Sequence, residues 1–151
     1  MVSLSSSRFP REVGALMIEL MVAMAVAGIL AATAYPSFAG PLFKARRTDG
    51  ITALLQLQMS QERWRANHGN YASLTQLKVN ATSTMGYYQL SVADATATGF
   101  AVSAAGTGSQ AGDSACKVLR ITVADGNANF TSGADERTRN DSADNKRCWN
   151  L

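Results

Sequence analysis

The sequence predicts an α+β chain in which a long N-terminal helix, membrane-spanning in its first half, packs its second half against a C-terminal antiparallel β-sheet. Three observations predict it. Residues Ala15 to Tyr35, ALMIELMVAMAVAGILAATAY, form an apolar run interrupted by one charge, Glu19. Ile51, Leu54, Leu55 and Met59 then recur at helical spacing within KARRTDGITALLQLQMSQERWRAN. Beyond residue 86 the period falls to two, and turn residues separate the alternating stretches. The expected organisation is therefore a polar leader at 1–14, a helix over 15–67 with 15–38 as its membrane-spanning part, and a globular sheet over 68–151.

The apolar run has about the 20 residues a helix needs to cross a bilayer. The preceding MVSLSSSRFPREVG is short, polar and basic at Arg8 and Arg11, so the start reads as an export signal. An ordinary signal peptide is cleaved beyond its apolar core and carries no carboxylate within it. Here the polar-to-apolar switch falls at Gly14-Ala15, and Glu19 follows closely. A carboxylate at membrane depth costs several kcal/mol unless it is protonated, paired or at the interface. A cut after Gly14 would leave Glu19 about one helical turn from a new N-terminus. The freed α-amino group of Ala15 on a neighbouring helix would then be an available cation, and the helix dipole would also favour a negative group there. Snorkelling of Glu19 to the headgroups is the alternative that physics leaves open.

Gly14, an apolar series with Glu19 as the fifth residue after it, and LMVAMAVAGILAATAYPSF together resemble the class III prepilin signal of the type IV pilin family. The resemblance implies removal of residues 1–14 by prepilin peptidase, with Ala15 as the new and N-methylated N-terminus and Glu19 as the assembly residue. It also implies helix breaks at Gly28 and Pro36, an interval that is locally unwound in related filaments. The implied partners are the inner-membrane assembly platform and other pilins, major and minor, in a helical filament. The implied route runs from a single-pass inner-membrane precursor, N-terminus inside, to an extracellular pilus of a Gram-negative bacterium. Family members usually begin the mature chain with Phe or Met followed by Thr-Leu. This chain reads Ala15-Leu16-Met17, so methylation of Ala15 is carried by the resemblance alone. Lys44, Arg46 and Arg47 beyond the span oppose the positive-inside rule; the family signature and the cysteines favour the C-terminus outside.

A second break is expected at Gly40-Pro41, and the helix is expected to stop at Asn67-His68-Gly69, where glycine suits the left-handed residue that ends a helix. Tyr87–Val92, Phe100–Ala104 and Val118–Val123 alternate as half-buried strands do, and Ala128–Thr131 reads as a fourth after the Asp125-Gly126-Asn127 hairpin signal. Thr98-Gly99 and Gly106-Thr107-Gly108 read as turns, and the polar stretch 131–145 as an exposed loop. Cys116 and Cys148, the two cysteines, fit one disulfide in an oxidising compartment better than a redox motif. In the pilin family such a bridge bounds an outward-facing loop. The stretch QERWRANHGNYAS and the ending CWN are similar to PilE-like minor pilins in particular.

One histidine, His68, read as a solvated loop residue, cannot assemble a catalytic set or a metal site, so no catalytic, cofactor-binding or metal residues are expected. The formal charge of +3 falls to +2 without the leader, 12 basic residues against 10 acidic, and this gives no reason to expect a specific nucleic-acid partner. Modest adhesion to DNA stays open. The expected function is a structural subunit, a minor pilin supporting pilus assembly, twitching motility, adhesion or DNA uptake. The alternative is a pseudopilin of a type II secretion or competence system, against which the cysteine pair argues. A membrane-anchored binding protein that never polymerises would leave Glu19 without a partner.

Overall fold

A computed structural model describes residues 11–151; within them, the side chains of residues 11–15 and 34–38 lie outside the description. The elements in chain order are helix α1 (Arg11–His68), helix α2 (Leu74–Leu77), strands β1 (Tyr88–Ala93), β2 (Gly99–Gly106), β3 (Val118–Ala124) and β4 (Asn127–Gly133), and helix α3 (Ser142–Cys148). A 3-10 turn at Gly108–Gly112 lies between β2 and β3. Two compact units divide the chain at Ala39/Gly40 and are described separately.

The first unit is helical from Arg11 onward. Its stretch Leu16–Thr33 is 18 residues long and apolar enough to cross a membrane, and none of it is buried within the chain. At 1.5 Å per residue that segment reaches about 27 Å, close to the thickness of a hydrocarbon core. α1 is helical without interruption through Gly28, Pro36, Gly40 and Pro41, where the sequence reading placed breaks. A single glycine costs only about 1 kcal/mol in a helix interior. A proline removes one backbone donor and tends to kink a helix whose flanking residues favour the helical state.

In the second unit α1 continues to His68, and Gly69, with φ of +71°, ends it by donating its N–H to the Arg65 carbonyl at 2.9 Å. His68 is therefore the last helical residue and not a loop residue. It is exposed and stacks on Trp64, with ring centroids 3.8 Å apart and planes 7° from parallel. The helix turns Ala53, Leu54 and Leu57 into the core, and the fully buried Gln61 lies on the same face. Four residues separate Leu57 from Gln61, so the side chains stack on one stripe.

The sheet is an antiparallel meander in the order β1-β2-β3-β4, as the alternating segments predict. Register places Phe100, Val102 and Ala104 of β2 beside Val123, Ile121 and Leu119 of β3, and this row forms the core face against α1. The hairpin between β3 and β4 turns on Asp125 (φ 49°) and Gly126 (φ 80°), two left-handed residues as a type I′ turn requires. β2 is buried on both faces, because it lies inside the sheet and the polar C-terminal segment covers the face opposite the helix. There Glu136 accepts a hydrogen bond from Ser103 and pairs with Arg120.

Regular structure also occupies stretches between the predicted elements. Gly106 ends β2, and Gly108 opens the 3-10 turn. Ser73 and Gln76 form a reciprocal capping box on α2. The stretch read as an exposed loop holds the end of β4 and then α3, whose N-cap Asp141 accepts from the Asp144 N–H at 2.8 Å. Lys146 and Arg147 complement the last turn of α3. The Asp-x-x-Asp spacing followed by two bases was a legible helix signal outweighed by the polarity of the segment.

Candidate functional site

Two sets of residues concern function, one in each unit. In the first, Gly14 and Ala15 lie within the backbone of α1 and their side chains outside the described residues. Glu19 is exposed on α1 among exposed Leu16, Met17, Ile18, Leu20 and Met21. A lone carboxylate in an apolar collar is stable in lipid with a counter-charge, a proton or access to the interface, and among the described residues of this chain no ion pair satisfies it. Gly28 also sits on the open surface, with nothing within 4 Å of the position a Cβ would take. Pro36 lies where side chains are outside the description.

The second set is the disulfide and the segment it bounds. Cys116 and Cys148 are joined, with Cα atoms 5.4 Å apart and both residues fully buried. Asn140 braces the bridge: its side-chain amide donates to the Ala115 carbonyl at 2.7 Å, and to Ser132 Oγ and Cys148 Sγ at 3.0 and 3.3 Å. Trp149, just beyond, donates its indole N–H to the Thr131 carbonyl at 3.2 Å and meets Phe130 edge-on. Asn145 donates to the Phe130 carbonyl at 2.8 Å, so α3 caps the outer edge of β4. A double Cys116→Ser, Cys148→Ser variant should lose about 3.7 kcal/mol, the chain-entropy value for a loop of this length. A fall in the urea midpoint would report it; a midpoint equal to that of the oxidised wild type would contradict it.

A buried polar cluster ties this segment to α1, and the sequence reading missed it. Arg47 donates from Nε to Asp113 Oδ2 at 2.6 Å and from Nη2 to Oδ1 at 2.9 Å, with both side chains nearly buried. Its remaining Nη1 donates to the Arg147 carbonyl at 3.2 Å. Gln110 in the 3-10 turn donates to Asp113 Oδ2 at 3.2 Å and to the Tyr88 hydroxyl at 3.0 Å. Burial pushes the Tyr88 hydroxyl up to about 12, so it stays neutral as an acceptor in this cluster. One guanidinium thus connects α1, the β2–β3 connection and α3. No local pattern announces this, because Arg47 and Asp113 are 66 positions apart.

Between the cysteines, Arg120 pairs with Glu136, and Arg147 with Asp144 at 2.8 Å. The Thr138 hydroxyl, with the backbone N–H groups of Thr138 and Arg137, holds the Asp135 carboxyl below the usual carboxylate range. The Asp141 carboxylate is committed to its N-cap. Arg137, Arg139 and Lys146 are exposed and form no ion pair among the described residues. Arg139 is held on the β4 side by a 2.8 Å bond to Thr131 Oγ1.

The family model described as type IV minor pilin ComP, DNA uptake sequence receptor, matches residues 36–120, more than half of the chain. The chain belongs to this family of type IV minor pilins. The comparison with curated proteins returned no match. Membership agrees with the resemblance drawn from the N-terminal signal, yet it rests on different residues, since the matched span begins at Pro36. A minor pilin is a structural, non-enzymatic subunit that assembles with other pilins, and the exposed apolar helix with the disulfide-bounded sheet fits that part. Of the sequence-derived residues, the structure brings Cys116 and Cys148 together and places Glu19 on the open surface of α1.

Proposed function

We propose that this minor pilin serves DNA uptake, entering a type IV pilus through α1 and presenting its disulfide-bounded segment to DNA. The observation that carries the proposal is the family match together with Arg137, Arg139 and Lys146, exposed cations that form no ion pair among the described residues. A whole-chain charge of +2 does not report where single exposed cations stand, which is why composition gave no reason to expect them. Phosphate contacts supply most non-specific affinity for DNA, and each one contributes about 0.9 to the slope of log affinity against log salt. A double Arg137→Ala, Arg139→Ala variant should bind duplex DNA more weakly, with that slope reduced by about two. Fluorescence anisotropy over a salt series measures both quantities. An unchanged slope would exclude this face as the DNA contact.

Assembly in this reading begins with cleavage after Gly14, at the switch from polar leader to apolar helix. Ala15 becomes the free N-terminus, and Glu19 pairs with the Ala15 amine of a neighbouring subunit. Unwinding between Gly28 and Pro36 belongs to the filament, where neighbouring helices can satisfy freed backbone groups. A Gly14→Val variant should remain as an uncut precursor in the membrane, detected by intact mass. Normal maturation of that variant, or a wild-type cut near Ala32, would refute the processing step.

A further inference from the structure

A groove of the globular unit lies away from the disulfide-bounded segment. It holds about 630 Å³ between α1 and the stretch 79–84. Leu57 and Leu90 line its apolar part, and Gln56, Asn80, Thr82 and Thr84 give it exposed amides and hydroxyls. None of its lining residues is charged. Ser60 also lines a second hollow of about 280 Å³, so the two adjoin along one stripe of α1. That second hollow is walled by the stacked rings of Trp64 and His68, with Arg63 its one permanent charge. From Ala53 to His68 the stripe extends about 22 Å along the helix.

Two ring nitrogens of this wall matter. Trp64 Nε1 is buried without a partner among the described residues. Such a donor is costly to leave unmet, and a ligand oxygen meets it when the indole turns towards the hollow. His68 Nδ1 lies 3.0 Å from the Trp64 carbonyl, which can only accept. Nδ1 is therefore the donor in this contact, and Nε2 is the ring's other polar atom.

We propose that this trough binds a neutral oligosaccharide. A sugar offers hydroxyls that donate and accept, matching the amides, hydroxyls, Trp64 Nε1 and His68 Nε2. Its C–H faces suit the aromatic wall and the apolar floor. The absence of charge in the main groove removes the usual means of holding an anion. Duplex DNA carries a negative charge per 1.7 Å, or about 13 over this length, against one arginine. An added peptide strand is disfavoured because the open edge of β1 is already used: Ser83 N–H donates to the Tyr88 carbonyl at 2.9 Å, and Leu90 N–H to the Ala81 carbonyl at 2.6 Å. The trough is thus a second binding function on a face separate from the cations proposed to meet DNA.

The test applies the full-length chain in detergent to an array of neutral, sialylated and sulfated oligosaccharides, then titrates the best ligand by isothermal calorimetry, a readout that does not depend on Trp64. Neutral oligosaccharides should be selected, with affinity unchanged between about 50 and 200 mM salt, a range over which DNA binding falls steeply. Gln56→Ala and Trp64→Ala should each weaken binding about tenfold or more. Trp64→Phe, which keeps a ring and loses the N–H, should fall between Trp64→Ala and wild type. Gln56 is exposed, so its variant decides the matter if Trp64→Ala proves unstable. DNA affinity of Gln56→Ala should equal that of wild type, which separates failure here from failure of the DNA proposal. Selection of anionic sugars alone, capture of no sugar, or a ligand bound equally by wild type and Gln56→Ala would overturn the inference.

Discussion

Replacing Asp113 by alanine is expected to destabilise the globular unit by about 3–5 kcal/mol, the cost of leaving a buried charge without its partner. The partner is Arg47, whose side chain is 10% exposed against 6% for Asp113. Removing the carboxylate strands the Arg47 guanidinium, which cannot lose its proton. It also deprives Gln110 of one acceptor. Asp113→Asn should cost less than alanine, because its amide oxygen can still accept from Arg47 while its charge is gone. A double Arg47→Met, Asp113→Leu variant should recover much of the loss, since apolar replacements of similar volume often match a buried ion pair. Urea unfolding of the intact chain in detergent, followed by tryptophan fluorescence, reads all four proteins. Trp149 lies next to Cys148 at the segment that Arg47 holds, so it reports loosening there first. A loss below about 1 kcal/mol for Asp113→Ala, comparable to a solvent-exposed pair, would show that the cluster is not dry.

The second large effect belongs to Glu19. Its replacement by alanine or glutamine is expected to leave membrane insertion intact and to remove the protein from filaments. Insertion should if anything become easier, because a charge costs energy in lipid. In the proposed assembly, what should disappear is the attraction to the Ala15 amine of a neighbouring subunit, an attraction that is strong where the dielectric is low and would fix axial register. Glu19→Gln is the sharper probe, keeping shape and some hydrogen bonding while deleting the charge. Membrane and sheared-filament fractions of wild type and both variants make the comparison, with cleavage followed in parallel. Normal cleavage and membrane level with loss from filaments is the expected pattern. Undiminished incorporation of both variants would exclude the ion pair, and loss from the membrane itself would favour snorkelling instead. Neither result depends on Arg47, so the two variants separate assembly from folding.

By itself the sequence determined the helix, the sheet and the candidate bridge, because each is written in a local period or a scarce residue. An apolar run of bilayer length, a 3.6-residue stripe ending at Gly69 and two-residue alternation around Asp125-Gly126 are signals that neighbours in the chain carry. Two cysteines in an exported domain leave one pairing to choose. Where local signals conflict, sequence and structure part: Gly40-Pro41 predicts a break that α1 runs through, and the polarity of 131–145 hides a capped helix at Ser142–Cys148. Only the tertiary structure decided which polar groups are buried together. Arg47 reads in sequence as one of three bases beyond a membrane span, and Asp113 as a turn residue. Folding brings the β2–β3 connection and α3 against α1, and in that dry contact the two charges must meet, because an ion taken from water without a partner costs several kcal/mol. The trough beside Trp64 is decided in the same way, since the stretch 79–84 comes to line one groove with α1 by bonding to the edge of β1, a pairing set by three-dimensional proximity and by no period in the chain.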